Sequence, residues 1–443
     1  MTFKDLHLTN ALWNALDDAG LEVPTPIQYQ SFPVIMSGRD VHGIAQTGTG
    51  KTIAFLLPLF RLLNFSKSRN PQVMVIVPTR ELVVQVANTA QQISKYMTME
   101  TKGVFGGTNL RTQAAELAEG CDVIVGTPGR LLDLMYHGVL NTKSIRKLVI
   151  DEVDEMLALG FRSQLEHILE LLPEKRQNLL FSATITDEVE NVLDEYFQQP
   201  VRVEAAPPGT PVEKIRQCVY RVPNYNTKIN LLRWLLENHA DMSRVLLFVS
   251  TKALADELFS SLSETLAGQV GVIHSNKDQN YRFQSVRNFQ EGKTRILIAT
   301  DIIARGIDIA DVSHVINFDL PEVPQYYIHR IGRTGRADKE GIAISLVSDQ
   351  DAGKLQEIEE MMQYQIPVLP HPEAVPVSTV LTEAEMPRVQ MKNVLGKTPV
   401  LRENQTAFHE KKTKNKKTNQ KVTHKEKMMA KYGKPKTRGQ KRK

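Results

Sequence analysis

The string AQTGTGKT, residues 45–52, governs how the rest of the chain is read. It follows a short run, 40–44, able to end as a strand, and leads into 53–63, apolar at helical spacing. Strand, glycine-rich turn and helix start in that order suit a phosphate cradle. Gly48 and Gly50 let the backbone turn tightly so that its N–H groups face an anion, and a helix N-terminus adds about half a positive charge. Lys51 can then reach the β- and γ-phosphates, and the Thr52 hydroxyl can hold Mg²⁺. Ala45 stands where the usual pattern has glycine, so the string alone indicates a nucleoside triphosphate and no particular family.

Downstream, β-branched runs at 72–77, 122–125, 147–150 and 179–181 alternate with helical patterns such as 82–96 and 164–172. That alternation implies a parallel sheet covered on both faces, with ligands at the carboxyl ends of its strands. The polar clusters fall at those ends: PTREL (78–82), TPGR (127–130), DEVD (151–154) and SAT (182–184). In DEVD two carboxylates come directly off an apolar strand. Asp151 suits the outer coordination of a metal, and Glu152 suits orienting and deprotonating an attacking water. Upstream, a helix is expected over about 9–19, followed by GLEVPTPIQ (20–28). Pro24 and Pro26 hold that segment extended, leaving the Gln28 amide to donate and accept at once, as an adenine edge requires.

The stretch EAAPPGTPVE, 204–213, reads as a linker. A second alternation follows, with strands at 244–249, 270–273, 295–299, 312–317 and 342–347 and helices at 252–266 and 279–289. It has no cradle of its own, which gives two related folds and one nucleotide site. Its polar clusters are TDIIARGID (300–308) and HRIGRTGR (329–336). In the latter Arg330, Arg333 and Arg336 recur every three residues, broken by Gly332 and Gly335, as suits guanidiniums presented from a turn to clamp phosphates. A helical segment then runs to about 364, and the proline-spaced stretch 367–399 reads as irregular.

The 443 residues allow two ordinary cores and extra segments. No apolar run approaches the roughly 20 residues of a membrane span, and the opening MTFKDLHLTN lacks the pattern of a secretory leader. Cys121 and Cys218 form neither a CxxC pair nor a metal spacing, which fits a reducing compartment. The net charge of +5 conceals a division: residues 402–443 hold sixteen Lys/Arg against three Asp/Glu, a net +13, and the remaining 401 residues carry −8. An acidic body with a basic tail points to a polyanion, nucleic acid first, and the Lys-rich tail is expected to be disordered.

Together these strings resemble the DEAD-box family of ATP-dependent RNA helicases, within the superfamily-two helicases, over about residues 1–365. The resemblance implies an α/β chain of two RecA-like domains, each a mostly parallel sheet flanked by helices. The expected boundaries are 1–204 and 214–365, with a linker at 205–213, an irregular extension at 366–401 and the basic tail at 402–443. It implies an RNA-dependent ATPase that locally separates short duplexes or remodels RNA–protein complexes, with ATP and Mg²⁺ as cofactors. Phe3, seventeen residues before Gly20, would stack on adenine and Gln28 would read it. Ala45, Gln46, Thr47, Gly48, Thr49, Gly50, Lys51 and Thr52 would form the phosphate loop. Asp151 and Thr52 would serve the metal, Glu152 the water, and Asp308 the ribose.

By the same resemblance, Arg333 and Arg336 would act as fingers on the triphosphate. Asp154 would bond toward Ser182 and Thr184, with Gly306 and His329 in the closing interface. RNA would meet Pro78, Thr79, Arg80, Gly106, Gly107, Thr127, Gly129 and Arg130 in the first domain, and Thr251, Gln279, Arg282 and Thr300 in the second. Three positions depart from the family pattern: Val153 replaces alanine, Leu21 a common aromatic, and Ser275 the glycine usual after His274. The alternatives are an ATP-gated RNA clamp and a DNA-translocating helicase, the latter disfavoured by Gln28 and HRIGRTGR. Ribosomal precursors and RNA-decay complexes are both suitable partners. A short N-terminus fits a bacterial cytoplasmic protein, although a Lys-rich tail also suits a nuclear address.

Overall fold

The computed structural model describes residues 2–46, 48–63, 70–205, 215–301, 309, 312–335, 341–382, 385–386 and 424–433. Residues Met1–Met386 form one compact unit. The second unit, Pro387–Lys443, contributes a helix, His424–Tyr432. Most of the expected linker and most of the expected basic tail lie outside the described residues.

Short β-branched runs form the strands, as their fit to a doubly covered pleated surface requires. The first sheet comprises β1 (Val41–Ile44), β2 (Val73–Ile76), β3 (Thr101–Val104), β4 (Val123–Gly126), β5 (Lys147–Ile150), β6 (Gln177–Ser182) and β7 (Val201–Glu204). The second comprises β8 (Ile215–Arg221), β9 (Val245–Val249), β10 (Val270–Ile273), β11 (Ile296–Thr300), β12 (His314–Asn317), β13 (Gly341–Val347) and β14 (Val368–Leu369). Every pairing is parallel.

The strand orders are β3-β4-β2-β5-β6-β1-β7 and β10-β11-β9-β12-β13-β8-β14. Adding seven to each number of the first order gives the second, so the lobes repeat one topology strand for strand.

Successive strand residues feed opposite faces. In β2, Val73 and Val75 enter one core while Met74 and Ile76 enter another; in β9, Val245 and Leu247 part from Leu246 and Phe248 in the same way. Each such side chain, fully buried, contributes roughly 1.5–3 kcal/mol relative to exposure. Val153 is taken up in the second of the first lobe's cores, which accommodates the volume it adds over alanine.

Two expectations fail locally. Residues 24–28 are not extended as far as Gln28: Pro26 takes the first position of the helix Pro26–Met36, where its missing N–H costs nothing. The stretch after 366 is not simply irregular. It adds β14 to β8 and then runs as a strap over the helix Tyr225–Asn238. Asn230, Asn224 and Asn226 donate their side-chain amides to the carbonyls of Pro376, Ser378 and Val380. Val375 seats in the second lobe's core.

Candidate active site and nucleic-acid interface

The nucleotide side is built on β1, β5 and β6, adjacent in the order β5-β6-β1. After β1 the chain turns through Gly48 and Gly50, at φ +81° and +85°, and enters the helix Lys51–Leu62. A Cβ on Gly50 would lie 2.3 Å from the terminal Nε2 of Gln28, and the positive φ is what calls for glycine there. Thr49 caps the turn by donating its hydroxyl to the Gln46 carbonyl at 2.8 Å. Thr52 follows Lys51 at the second helical position, and Thr47 lies outside the described residues.

Lys51 is 6% exposed and its Nζ has no hydrogen-bond partner among the described residues. Asp151 and Glu152 leave the end of β5 buried, Glu152 in the left-handed region at φ 54°. Glu152 N–H donates to Asp151 Oδ1 at 3.0 Å, and Glu152 Oε2 has no hydrogen-bond partner among the described residues. Burial pushes the Asp151 carboxyl up to about 6, against the opposing pull of Lys51 and with the added push of Glu152.

A buried ammonium without a protein partner is costly unless an anion completes it. The Lys51 position, the positive-φ glycines and the adjacent carboxylates therefore fit a triphosphate with a divalent cation. No group of three or more His, Cys, Asp or Glu among the described residues forms a metal cage.

Two expected base contacts are otherwise engaged. Gln28 accepts from Thr25 N–H at 2.9 Å and donates to the Gly50 carbonyl at 3.1 Å, tying the helix to the phosphate loop. Phe3 is 1% exposed and packs within the first lobe's core, so the face expected to stack on adenine is covered.

Asp154 bridges β5 to β6. Its Oδ2 accepts from Ala183 N–H, Thr184 N–H and the Thr184 hydroxyl at 3.1, 2.9 and 2.7 Å. Ser182, expected as its other partner, instead lies with its hydroxyl 3.3 Å from His42 Nε2. Nothing in the sequence singled out His42. It is a polar residue on a buried strand, and its partner is 140 positions away.

The second lobe separates the three regularly spaced arginines. Arg330 is not presented to solvent or to a ligand: it is buried, pairs with both Asp301 oxygens at 2.6 and 2.7 Å, and donates to Asn317 and to the Asp319 carbonyl. Its guanidinium lies over the Phe248 ring. Arg333 is buried just past the helix Pro324–Ile331, which carries His329. Arg336, Gly306 and Asp308 lie outside the described residues.

The other strand ends converge on a cleft of about 730 Å³ lined by residues of both lobes. Pro78, Thr79, Arg80, Gly106, Gly107, Thr127, Gly129 and Arg130 all line it, as do Gln279 and Arg282. Gly107 takes φ +79°, a conformation that favours glycine, and the Arg80 guanidinium lies against it. Arg130 reaches back to Thr108 O at 2.9 Å and Gln113 Oε1 at 2.6 Å, shaping the loop that holds the two glycines.

Gln279 and Arg282 are engaged across the lobes. Glu81 takes an ion pair from Arg282 at 3.0 Å and a hydrogen bond from Gln279 at 2.9 Å, and Arg282 also bonds Gln279. Glu81 lies within PTREL, and only its partner on the second lobe reveals its role. Thr251 caps the helix Lys252–Ser263 as Thr79 caps Arg80–Ile93, at equivalent ends of β9 and β2. Thr251 and Thr300, the latter buried at the end of β11, are not among the cleft-lining residues.

Comparison with known proteins agrees with this construction. Residues 25–192 match the DEAD/DEAH box helicase model and residues 227–338 the helicase conserved C-terminal domain. The chain is 36% identical over 374 residues to the ATP-dependent RNA helicase RhlB of Shewanella sediminis, covering 83% of this chain and 85% of that protein. It is 38% identical over 358 residues to the DEAD-box ATP-dependent RNA helicase CshA of Geobacillus kaustophilus, covering 81% and 76%. Its fold matches S. cerevisiae Dbp5 bound to RNA and ADP BeF3 with a TM-score of 0.75 and 30% identity, over 83% of this chain and 95% of that one. A DEAD box protein from Methanococcus jannaschii matches with a TM-score of 0.52 and 35% identity, over 84% and 99%. With two RecA-like lobes, both halves matched in order and relatives aligned over most of their own length, the chain belongs to the DEAD-box family of ATP-dependent RNA helicases.

Proposed function

We propose that this helicase couples ATP hydrolysis to closure of its two lobes over single-stranded RNA, so separating short duplexes locally or remodelling RNA–protein complexes. The observation that carries the reading is the cleft shared by both lobes, with the Glu81–Arg282 pair spanning it. Its first wall offers backbone at Gly106, Gly107 and Gly129, which suits recognition of phosphates and 2′-hydroxyls without reading bases. Lys51 and the loop amides would bind the triphosphate, Gln28 and Phe3 would meet adenine after a local rearrangement, and Glu152 would orient water. Mg²⁺, held by Thr52 and at one remove by Asp151, would supply positive charge on the phosphate oxygens. Arg333 and Arg336 would complete the site from the second lobe, and Asp308 would meet the ribose. Asp154, through Thr184, would carry the state of the nucleotide site toward the RNA side.

ATP and RNA each favour the closed state in this scheme, so each tightens the other. The sites of action would be cytoplasmic RNA assemblies, and the domain limits 1–204 and 214–365 are those we assign to the two moving bodies. The test compares ATP turnover stimulated by RNA and by DNA of one sequence, alongside strand separation of short and long duplexes. RNA-selective stimulation with separation of the short duplexes is expected. Stimulation without separation would replace unwinding by an ATP-gated clamp, and equal stimulation by DNA would remove the RNA-selective reading.

A further inference from the structure

The two walls of the cleft differ in chemistry. After β3 the first lobe presents Gly106-Gly107-Thr108-Asn109; after β10, at the same place in the repeated topology, the second presents Ser275-Asn276-Lys277-Asp278. Of these two loops the first offers backbone at its paired glycines and the second offers side chains. Ser275, Asn276 and Asp278 are exposed and Lys277 is half-buried.

Lys277 is held in place. Its Nζ lies 2.9 Å from Asp256 Oδ1, which also meets His274 Nε2 at 3.0 Å. The same ammonium lies 5.7 Å from the centroid of the Tyr281 ring. Tyr281 belongs to the helix Gln279–Gln290 and is 42% exposed, whereas Gln279 and Arg282 of that helix are engaged with the other lobe. A solvent-open aromatic ring beside a positioned cation matches the two surfaces a single-stranded nucleotide offers: the π-face of its base and its phosphate. A tyrosine holding only its own helix together would have no need of a cation that lines the cleft.

Resting on the reading of the cleft as the RNA site, we propose that Lys277 and Tyr281 form a further nucleotide subsite at its rim, one RNA base stacking on Tyr281 and an adjoining phosphate pairing with Lys277. Stacking of this kind tolerates any base, so the subsite lengthens the footprint without adding strict sequence choice.

The test measures binding of single-stranded RNA oligonucleotides, lengthened one nucleotide at a time, to the full chain with a non-hydrolysable ATP analogue. In the wild type one added nucleotide raises affinity by about tenfold, the size of a base–aromatic stack. Tyr281→Ala removes that step and leaves the shorter oligonucleotides unaffected; Tyr281→Phe keeps it. Lys277→Gln lowers the slope of log affinity against log salt by about 0.7, the loss of one single-strand phosphate contact, whereas Tyr281→Ala leaves the slope alone. Identical length profiles for wild type and Tyr281→Ala overturn the subsite. A loss spread evenly over all lengths also overturns it, since Tyr281 would then be acting on the helix. Failure of the wild type to bind any of these RNAs overturns the RNA reading of the cleft and the subsite with it.

Discussion

Lys228 and Asp319 stand in the second lobe where Lys51 and Asp151 stand in the first. Lys228 lies seven residues past the end of β8, as Lys51 lies seven past the end of β1; Asp319 is the second residue after β12 and Asp151 the first after β5. In the first lobe the ammonium has no hydrogen-bond partner among the described residues. In the second, Lys228 Nζ reaches Asp319 at 3.2 Å, Asp351 at 3.3 Å and the Phe318 carbonyl at 2.8 Å, and the place of a triphosphate is taken by an internal ion network. Two results are expected. Nucleotide titration should saturate at one ATP per chain, and Lys228→Met should lower the unfolding free energy by about 3–5 kcal/mol, the usual result of leaving buried charge unpaired. Denaturant unfolding measures the second.

Glu152→Gln isolates the assignment of the water-orienting carboxylate. Glu152 Oε2 is buried without a hydrogen-bond partner among the described residues, and an amide of the same shape fills the same space. It cannot take a proton. Equilibrium ATP binding should stay near that of the wild type, while turnover falls by about 10²–10⁴-fold, the range of general-base catalysis. Turnover at the wild-type rate would remove Glu152 from the role.

The motif strings announced most strand ends because a buried parallel strand is a run of β-branched residues and a ligand-facing turn is not. Strands that are not such runs give no signal: β3, at an edge of the first sheet, reads TKGV, and β8, between β13 and β14, reads IRQCVYR, so both escape the sequence reading. The arginines of HRIGRTGR show the same limit in the site. Equal spacing made Arg330 and Arg333 look alike, but Asp301, 29 residues upstream, makes Arg330 a buried pillar. Gln28 and Glu81 stand out by their chemistry or their motif, but their partners, Gly50 and Arg282, are set by tertiary packing that no local pattern encodes.

His42 predicts a pH dependence of stability. Burial, reinforced by Arg202 and opposed by Asp154 and Glu204, pulls its imidazole from the ordinary 6.5 down to about 4. The folded state therefore favours the neutral ring. Above pH 6.5 both folded and unfolded chains carry it neutral and the contribution is fully present. As pH falls from 6.5 to 4 the unfolded chain takes up a proton that the folded one refuses, and about 3 kcal/mol of stability is lost. His42→Asn should flatten that part of the profile relative to wild type, read as the difference between urea midpoints across the interval. Parallel profiles would show that the ring is protonated in the fold.

The strap separates two truncations that the sequence would treat alike. A chain ending at Met386 keeps β14 on β8, Val375 in the core and the amide bonds from Asn224, Asn226 and Asn230. A chain ending at Tyr364 loses them all. Burying a valine contributes roughly 1.5–3 kcal/mol, and each hydrogen bond adds about 1 kcal/mol net. Asn224 makes the loss worse, because its buried side chain also caps Tyr225–Asn238 by accepting from Thr227 N–H at 2.9 Å, and removing the strap opens that helix start to water. Thermal unfolding should therefore match the full chain for the longer truncation and shift to a clearly lower temperature for the shorter. Equal melting of the two would mean that the strap lies on the second lobe without stabilising it.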